Sequence, residues 1–536
     1  MSKSLSRRRV LKLGGGLAAV GFTAALTANA LAEEVGTAAA WHSKIVYPGP
    51  DGRLVYAAEA NGKTIPDFSW AGFRNGEAAI PDVPVVKTIG PVTGDNTAHI
   101  QQALDEVGAL PTGDDGFRGA LLLKPGQYNV AGTVKLKRSG VVLRGSGKGS
   151  DAKANTVITG TGDGSVNCVL AVGGTSGSWD SQVAGTRTDV TSSLVAAGSR
   201  RLTLASTANL KVGDTVIVNH PCTQAWLDAV NGGGVKKDAK WAVGSLPIVY
   251  NRTVKEIDGK DIVICAPVFN ALRRSYSQSY VYVWDQAGLV RNVGVENLRV
   301  DMGYPPETDE DHPKSCVVVS RAKDAWVRDS TFLHFSVSGV AVQRSTRVTV
   351  QDVRASHPRS TLTGERRYNF SAAGMAQQVL FRGLWATHAR HAFVATGSST
   401  CSGNVWLDGY NENGYSESGG HQRWSHGLLY DNIKELGSKS DKAWVLSLHN
   451  RGDLGTGHGW SSVNSVAWNC TVDGGKRLCV QRPPTTQNFA IGTTGAVSKD
   501  NWYTTHQLGH VEGTNKAGLD PRSLYLAQLA DRLGTG

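Results

Sequence analysis

The chain has 536 residues, 40% of them apolar and 19% charged, enough to build a sizeable core and too apolar for wholesale disorder. Its 64 glycines against 18 prolines point to frequent tight reversals, as in an all-β chain. Of the formal net charge of +11, five basic and no acidic residues lie in the first 32, so the remainder holds 51 Lys+Arg against 45 Asp+Glu, a net +6; that mild excess suits an anionic partner, and without a dense Lys/Arg stripe nucleic acid is not the expected one.

Residues 1–32 read as a leader rather than as part of the fold. Ser6-Arg7-Arg8-Arg9-Val10-Leu11-Lys12 precedes an apolar, glycine-rich run over 13–28, and Ala30-Leu31-Ala32 supplies small residues for cleavage. This resembles a twin-arginine export signal, which implies a periplasmic or secreted protein. The run is short for a bilayer anchor, and no other stretch is long and apolar enough to span, so no membrane association is expected once the signal is removed. The seven cysteines, Cys168, Cys222, Cys265, Cys316, Cys401, Cys470 and Cys479, are odd in number and scattered, with no C-x-x-C pair. Buried free thiols are the expectation, although Cys470 and Cys479 could bridge a hairpin.

In chain order, residues 33–90 are aromatic and punctuated by proline. In Gly94-Asp95-Asn96-Thr97-Ala98-His99-Ile100, Asp95 or Asn96 can cap a helix whose Ile100, Ala103, Leu104 and Val107 fall at helical spacing. A buried strand follows at Ala120-Leu121-Leu122-Leu123, then a turn at Lys124-Pro125-Gly126, then strands at 133–136 and 141–143, closed by Arg144-Gly145-Ser146-Gly147. The order D-N-T-A-H-I-Q-Q-A-L-D, G-A-L-L-L-K-P-G-Q-Y, G-V-V-L-R-G-S-G over 94–147 resembles the N-terminal cap and first coils of the pectate-lyase-like superfamily of right-handed parallel β-helices. That architecture carries lyases, hydrolases, transferases and tailspikes, so it implies a fold and leaves the reaction open.

The coil rhythm breaks over 186–275, where segments such as Val216-Ile217-Val218 and Ile262-Val263-Ile264 alternate and turn like a small antiparallel barrel. It resumes with V-G-V-E-N-L-R-V, A-W-V-R-D-S-T-F and R-V-T-V-Q-D-V-R, which place Asn297, Asp329 and Asp352 at an equivalent bend. The expected architecture is therefore an all-β right-handed parallel β-helix with an N-terminal capping helix and an inserted antiparallel β subdomain. Its divisions are a signal at 1–32, cap and first coils at 33–185, the insert at 186–275, the main helix at 276–500 and a C-terminal cap at 501–536, ending in an amphipathic stretch at 523–533.

Seven of the fourteen histidines fall between 357 and 458. Residues one coil apart stack in a solenoid, so His391, the pair His421 and Arg423, and the pair His449 and Arg451 could line one groove. β-Elimination on a uronate-containing chain needs a cation to neutralise the carboxylate, a base near neutral pKa and an acid for the leaving oxygen. Arg390 and Arg423 fit the first requirement, His421 or His391 the second and Tyr415 the third, with Arg366, Arg367, His426, His449, Arg451, His458 and Trp424 as further contacts to substrate. Hydrolysis would instead use paired carboxylates, for which Glu412 and Glu417 are candidates. No metal motif such as H-E-x-x-H occurs and no cofactor is expected; calcium would want several acidic oxygens together, which Asp309-Glu310-Asp311 could offer. The expected partner is an acidic polysaccharide, cleaved by β-elimination, with a glycoside hydrolase or a non-catalytic glycan-binding β-helix as alternatives. The stretches R-H-A-F, G-G-H-Q-R-W-S-H-G and G-T-G-H-G-W also resemble secreted bacterial β-helix proteins of the pectate-lyase-like kind.

Overall fold

The computed structural model describes residues 39–235, 241–501 and 506–535. The stretch 1–32, expected from sequence to be an export signal, lies outside the described residues. Alternating apolar segments pair in parallel with their successors, coil upon coil: Val290–Glu296 with Ala322–Arg328, then Thr346–Ser356, Leu380–Thr387, Ser402–Glu412 and His426–Asp431. A second parallel stack runs from Val134–Leu136 through Phe370–Ala372, Phe393–Ala395, Ser418–Gly420 and Trp444–Leu448 to Ala496–Ser498. Parallel strands joined this way wind right-handed, so the chain is a right-handed parallel β-helix.

The register sets the core. Where successive coils stay in register, equivalent side chains stack, as in the near-parallel pile Phe381, Trp406 and Tyr430, with ring centroids 5.3 and 5.0 Å apart. The bend between strands repeats too. Asn297, Asp329, Asp352, Asp408, Asn432 and Asn469 all have φ near +50°, a left-handed turn that short polar side chains tolerate.

The solenoid passes straight across the insert, since Val142 pairs with Gly294 and Cys168 with Ser315. The insert is antiparallel: Thr215–His220 lies between Ile248–Asp258 and Tyr280–Val283. The N-terminal helix spans Thr97–Ala109 and buries Ile100, Ala103, Leu104 and Val107. Its Asn96 makes no side-chain cap bond; instead the Asp95 carboxylate accepts from the Thr97 N–H at 2.9 Å. All seven cysteines are free and buried, Cys470 and Cys479 included.

The C-terminal helix, Leu524–Leu533, is capped by Ser523. It lies along the flank of the coils instead of over the last one. Leu380, Leu407, Leu429 and Trp468 point outward there, in one apolar cluster with Leu524 and Tyr525. The helix is tied down by Asp431, whose carboxylate accepts from Ser523 Oγ and the Tyr525 N–H, and by Gln528, which accepts from the Phe68 N–H. Among the described residues no helix is long and apolar enough to cross a membrane.

Candidate functional site

The site forms where the second parallel stack turns at its two ends. Phe370 lies over Phe393, so Tyr368 and His391, each two residues earlier, enter successive coils at the same place, with Glu417 just ahead of the next strand. His421 leaves that short strand at its other end, and Arg451 follows the strand one coil on.

A chain of polar contacts joins them. The Tyr368 hydroxyl accepts from Arg390 Nη1 at 3.2 Å and lies 3.5 Å from His421 Nε2. His421 Nδ1 accepts from Arg451 Nη1 at 2.7 Å. Arg451 reaches Glu417 Oε1 at 3.2 Å, while Glu417 Oε2 accepts from Lys442 Nζ and Ser416 Oγ, each at 2.6 Å. Glu417 and Arg451 are buried, and His421, Arg390 and His458 are half-buried at the outer edge.

Arginine can only donate, so the Arg451 contact fixes neutral His421 as the tautomer with its proton on Nε2, facing Tyr368. His391 is the opposite case. Its Nδ1 donates to the Glu417 carbonyl, leaving a lone pair on Nε2, which is buried without a hydrogen-bond partner. The His421 ring stands 4.8 Å from His391 and 4.9 Å from His458, centroid to centroid.

Burial and fixed cations keep these imidazoles neutral. Burial, then Arg451, holds His421 well below the usual histidine range, and burial, then Arg390, does the same to His391. His458 falls to about 4, chiefly through burial and then Arg451. Burial would raise the Glu417 carboxyl, but the permanent cations beside it, Arg451 and then Lys442, outweigh it and hold the group well below the carboxylate range.

Other expected site residues are placed elsewhere or are engaged. His426 is fully buried, bonded to the Tyr250 hydroxyl at 2.7 Å and to the Trp424 carbonyl at 2.9 Å. Trp424, also fully buried, packs edge-on against Trp226 and donates to Asn270 Oδ1 at 2.9 Å. Both anchor the insert to the coils, which corrects their reading as substrate contacts. Arg367 is buried and donates to the carbonyls of Glu307 and Ser360, and it sits over the Tyr415 ring, so this pair braces a loop. Arg366 pairs with Glu310 at 2.8 Å, and Arg423 donates to the Thr456 carbonyl at 2.6 Å. His449 is buried behind the cluster against Trp444 and near Asn501.

The two carboxylate readings fare differently. Glu412 ends an outer strand, half-buried, and its carbonyl accepts from the His388 N–H. Glu417 is a buried, ionised anchor, whereas a general acid needs a raised pKa. The calcium triplet does not converge: Glu310 accepts from Arg366 and Thr361, Asp309 from the Asp311 N–H, and Asp311 from the Gly164 N–H. No group of three metal-ligating side chains occurs among the described residues.

Tyr368 and Lys442 were not singled out by sequence. The signal for Tyr368 was its coil position, two residues before Phe370 as His391 is two before Phe393. A cleft of about 170 Å³ opens elsewhere, lined by residues including Lys63, Trp226, Arg273 and Asn464, but it holds none of the linked acid–base groups just described.

No protein-family model and no curated protein matches the sequence. Among solved structures, the chain is similar to the tailspike gp61 of Pseudomonas phage phi297, at 16% identity over 78% of this chain and 73% of that one, with a TM-score of 0.47. It is similar to the tailspike gp49 of Pseudomonas phage LKA1 at 15% identity, 76% and 64% coverage and a TM-score of 0.42. For a polygalacturonase from Erwinia carotovora ssp. carotovora the figures are 10%, 81%, 98% and 0.38. None of these scores reaches 0.5, and the architecture rests on the coil ladders themselves: the chain is a right-handed parallel β-helix, the fold of the pectate-lyase-like proteins that its sequence resembles.

Proposed function

We propose that this chain is an exported carbohydrate-active enzyme that cleaves an acidic, uronate-containing polysaccharide by β-elimination. The observation that carries the reading is the convergence of Arg390 Nη1 and His421 Nε2 on the Tyr368 hydroxyl. The acid role given to Tyr415 passes to Tyr368, because Tyr415 faces Arg367.

In the proposed reaction the uronate carboxylate meets Arg390, half-buried at the edge, which offsets the charge that develops as the proton beside it leaves. That proton passes to a base, the C–O bond at the neighbouring carbon breaks, a C=C bond forms, and the departing oxygen takes a proton. Tyr368 supplies the exchangeable O–H, and His421 and Arg390 steady its oxygen through the step. Arg451 orients His421 and Glu417 fixes Arg451, while His391, buried and held neutral, packs behind the His421 ring. A hydrolase using Glu412 and Glu417 draws no support from a buried Glu417 ion-paired with Arg451 and Lys442. A purely glycan-binding β-helix would need the cations but not the oriented tyrosine and imidazoles.

The test is incubation of the protein with a panel of acidic and neutral polysaccharides. New ultraviolet absorbance from an unsaturated uronate is expected with an acidic polymer, and Tyr368→Phe is expected to lose at least about 100-fold in rate. Reducing ends without that absorbance would point to hydrolysis. Export by the twin-arginine route is part of the same proposal, tested by replacing Arg7, Arg8 and Arg9 with lysine and following the protein across the inner membrane.

A further inference from the structure

Of the tryptophans among the described residues, twelve are buried and Trp385 alone is exposed, at 44%. It is not isolated. On the outward face of the first parallel stack, Arg354 pairs with Trp385, Trp385 with Tyr410, and Tyr410 with Lys434, one residue from each of four successive coils. The two rings lie 6.3 Å apart. The Arg354 guanidinium sits 5.2 Å over Trp385, and the Lys434 ammonium sits 5.2 Å from the Tyr410 ring. Three coil steps of about 4.8 Å make the row roughly 14 Å long, parallel to the helix axis.

We propose that this row is a second glycan-binding site, separate from the cluster around Tyr368, that holds a stretch of acidic polysaccharide along the coils. Two flat aromatic faces accept the C–H faces of successive sugar rings, and a cation at each end meets their carboxylates. The charge decides the ligand class, since the row carries two cations and no acid. His357 and His388 follow three residues beyond Arg354 and Trp385, just past the ends of the same strands, so a polymer on the row lies beside the turn that leads to Arg390 and His391. The site thus deepens the acidic-glycan reading and rests on it for its ligand.

Affinity electrophoresis tests it, with polygalacturonate or alginate in the gel and dextran as the neutral control. The protein is expected to be retarded by at least one acidic polymer and not by dextran. The double variant Trp385→Ala, Tyr410→Ala is expected to bind at least about fivefold more weakly. Arg354→Gln with Lys434→Gln, which leaves both rings in place, is expected to weaken binding and flatten its salt dependence. Tyr368→Phe is expected to keep full retardation, which separates this row from catalysis. Retardation of the double aromatic variant equal to that of the parent, or a parent retarded no more by the acidic polymers than by dextran, would overturn the proposal. Loss of lyase activity as the explanation of the other site would leave a positive binding result intact.

Discussion

Arg451 carries the most at the scale of single residues. It is buried, and its guanidinium is shared between His421 Nδ1, the His421 carbonyl and Glu417. Truncating one member of a buried ion pair strands the other charge, so Arg451→Ala is expected to cost about 3–5 kcal/mol in chemical denaturation. Combining Arg451→Met with Glu417→Gln removes both charges, and the pair is expected to cost less than the sum of the two single changes; strict additivity would show that the contact is incidental. Sequence pointed to His391, His421, Arg390 and Arg451 because histidine and arginine stand out in a β chain. It passed over Tyr368 for its neighbours Arg366 and Arg367, because adjacent residues of extended chain point to opposite sides and composition does not say which side faces the site.

At the scale of elements, the coil is legible because its apolar alternation and its Asn or Asp bend repeat in register. Asn297, Asp329 and Asp352 do sit at one left-handed bend. What the alternation could not tell was which outward apolar residues receive a cover, as Leu407 and Trp468 do from the C-terminal helix and Trp424 does from the insert. The internal stack is a separate matter of packing. Trp406 lies between Phe381 and Tyr430 with nearly parallel rings, and Trp406→Ala opens a large void with neighbours held by their own coils. A loss of about 3–5 kcal/mol is expected in equilibrium unfolding, against under about 1 kcal/mol for the exposed Trp385→Ala; equal costs would contradict the stacked core.

For the whole molecule, buried ionisable groups set a pH optimum of stability. Burial depresses His426 to about 4 and His449 to about 3, and His391, His421 and His458 are lowered as well. The unfolded chain takes up those protons below about pH 6.5 while the folded one does not, so stability falls as pH drops from there toward 4. Burial raises Asp431 to about 7 and Glu435 to about 8. Those two stay protonated in the fold where the unfolded chain is ionised, so their contribution is whole below about pH 4 and is lost progressively as pH rises to 7 and 8. Melting temperature is therefore expected to peak at about pH 6.5 and to fall toward both pH 4 and pH 8; a monotonic profile across that window would contradict the burial of these groups.

The cluster's chemistry is tested most directly by the absorbance of an unsaturated uronate during incubation with acidic polysaccharides, run in parallel for the protein and for Tyr368→Phe. The account expects the signal to rise with the first and to be reduced by at least about 100-fold with the second, with both proteins melting alike. Cleavage that yields reducing ends without the absorbance, or an undiminished rate in Tyr368→Phe, would contradict it.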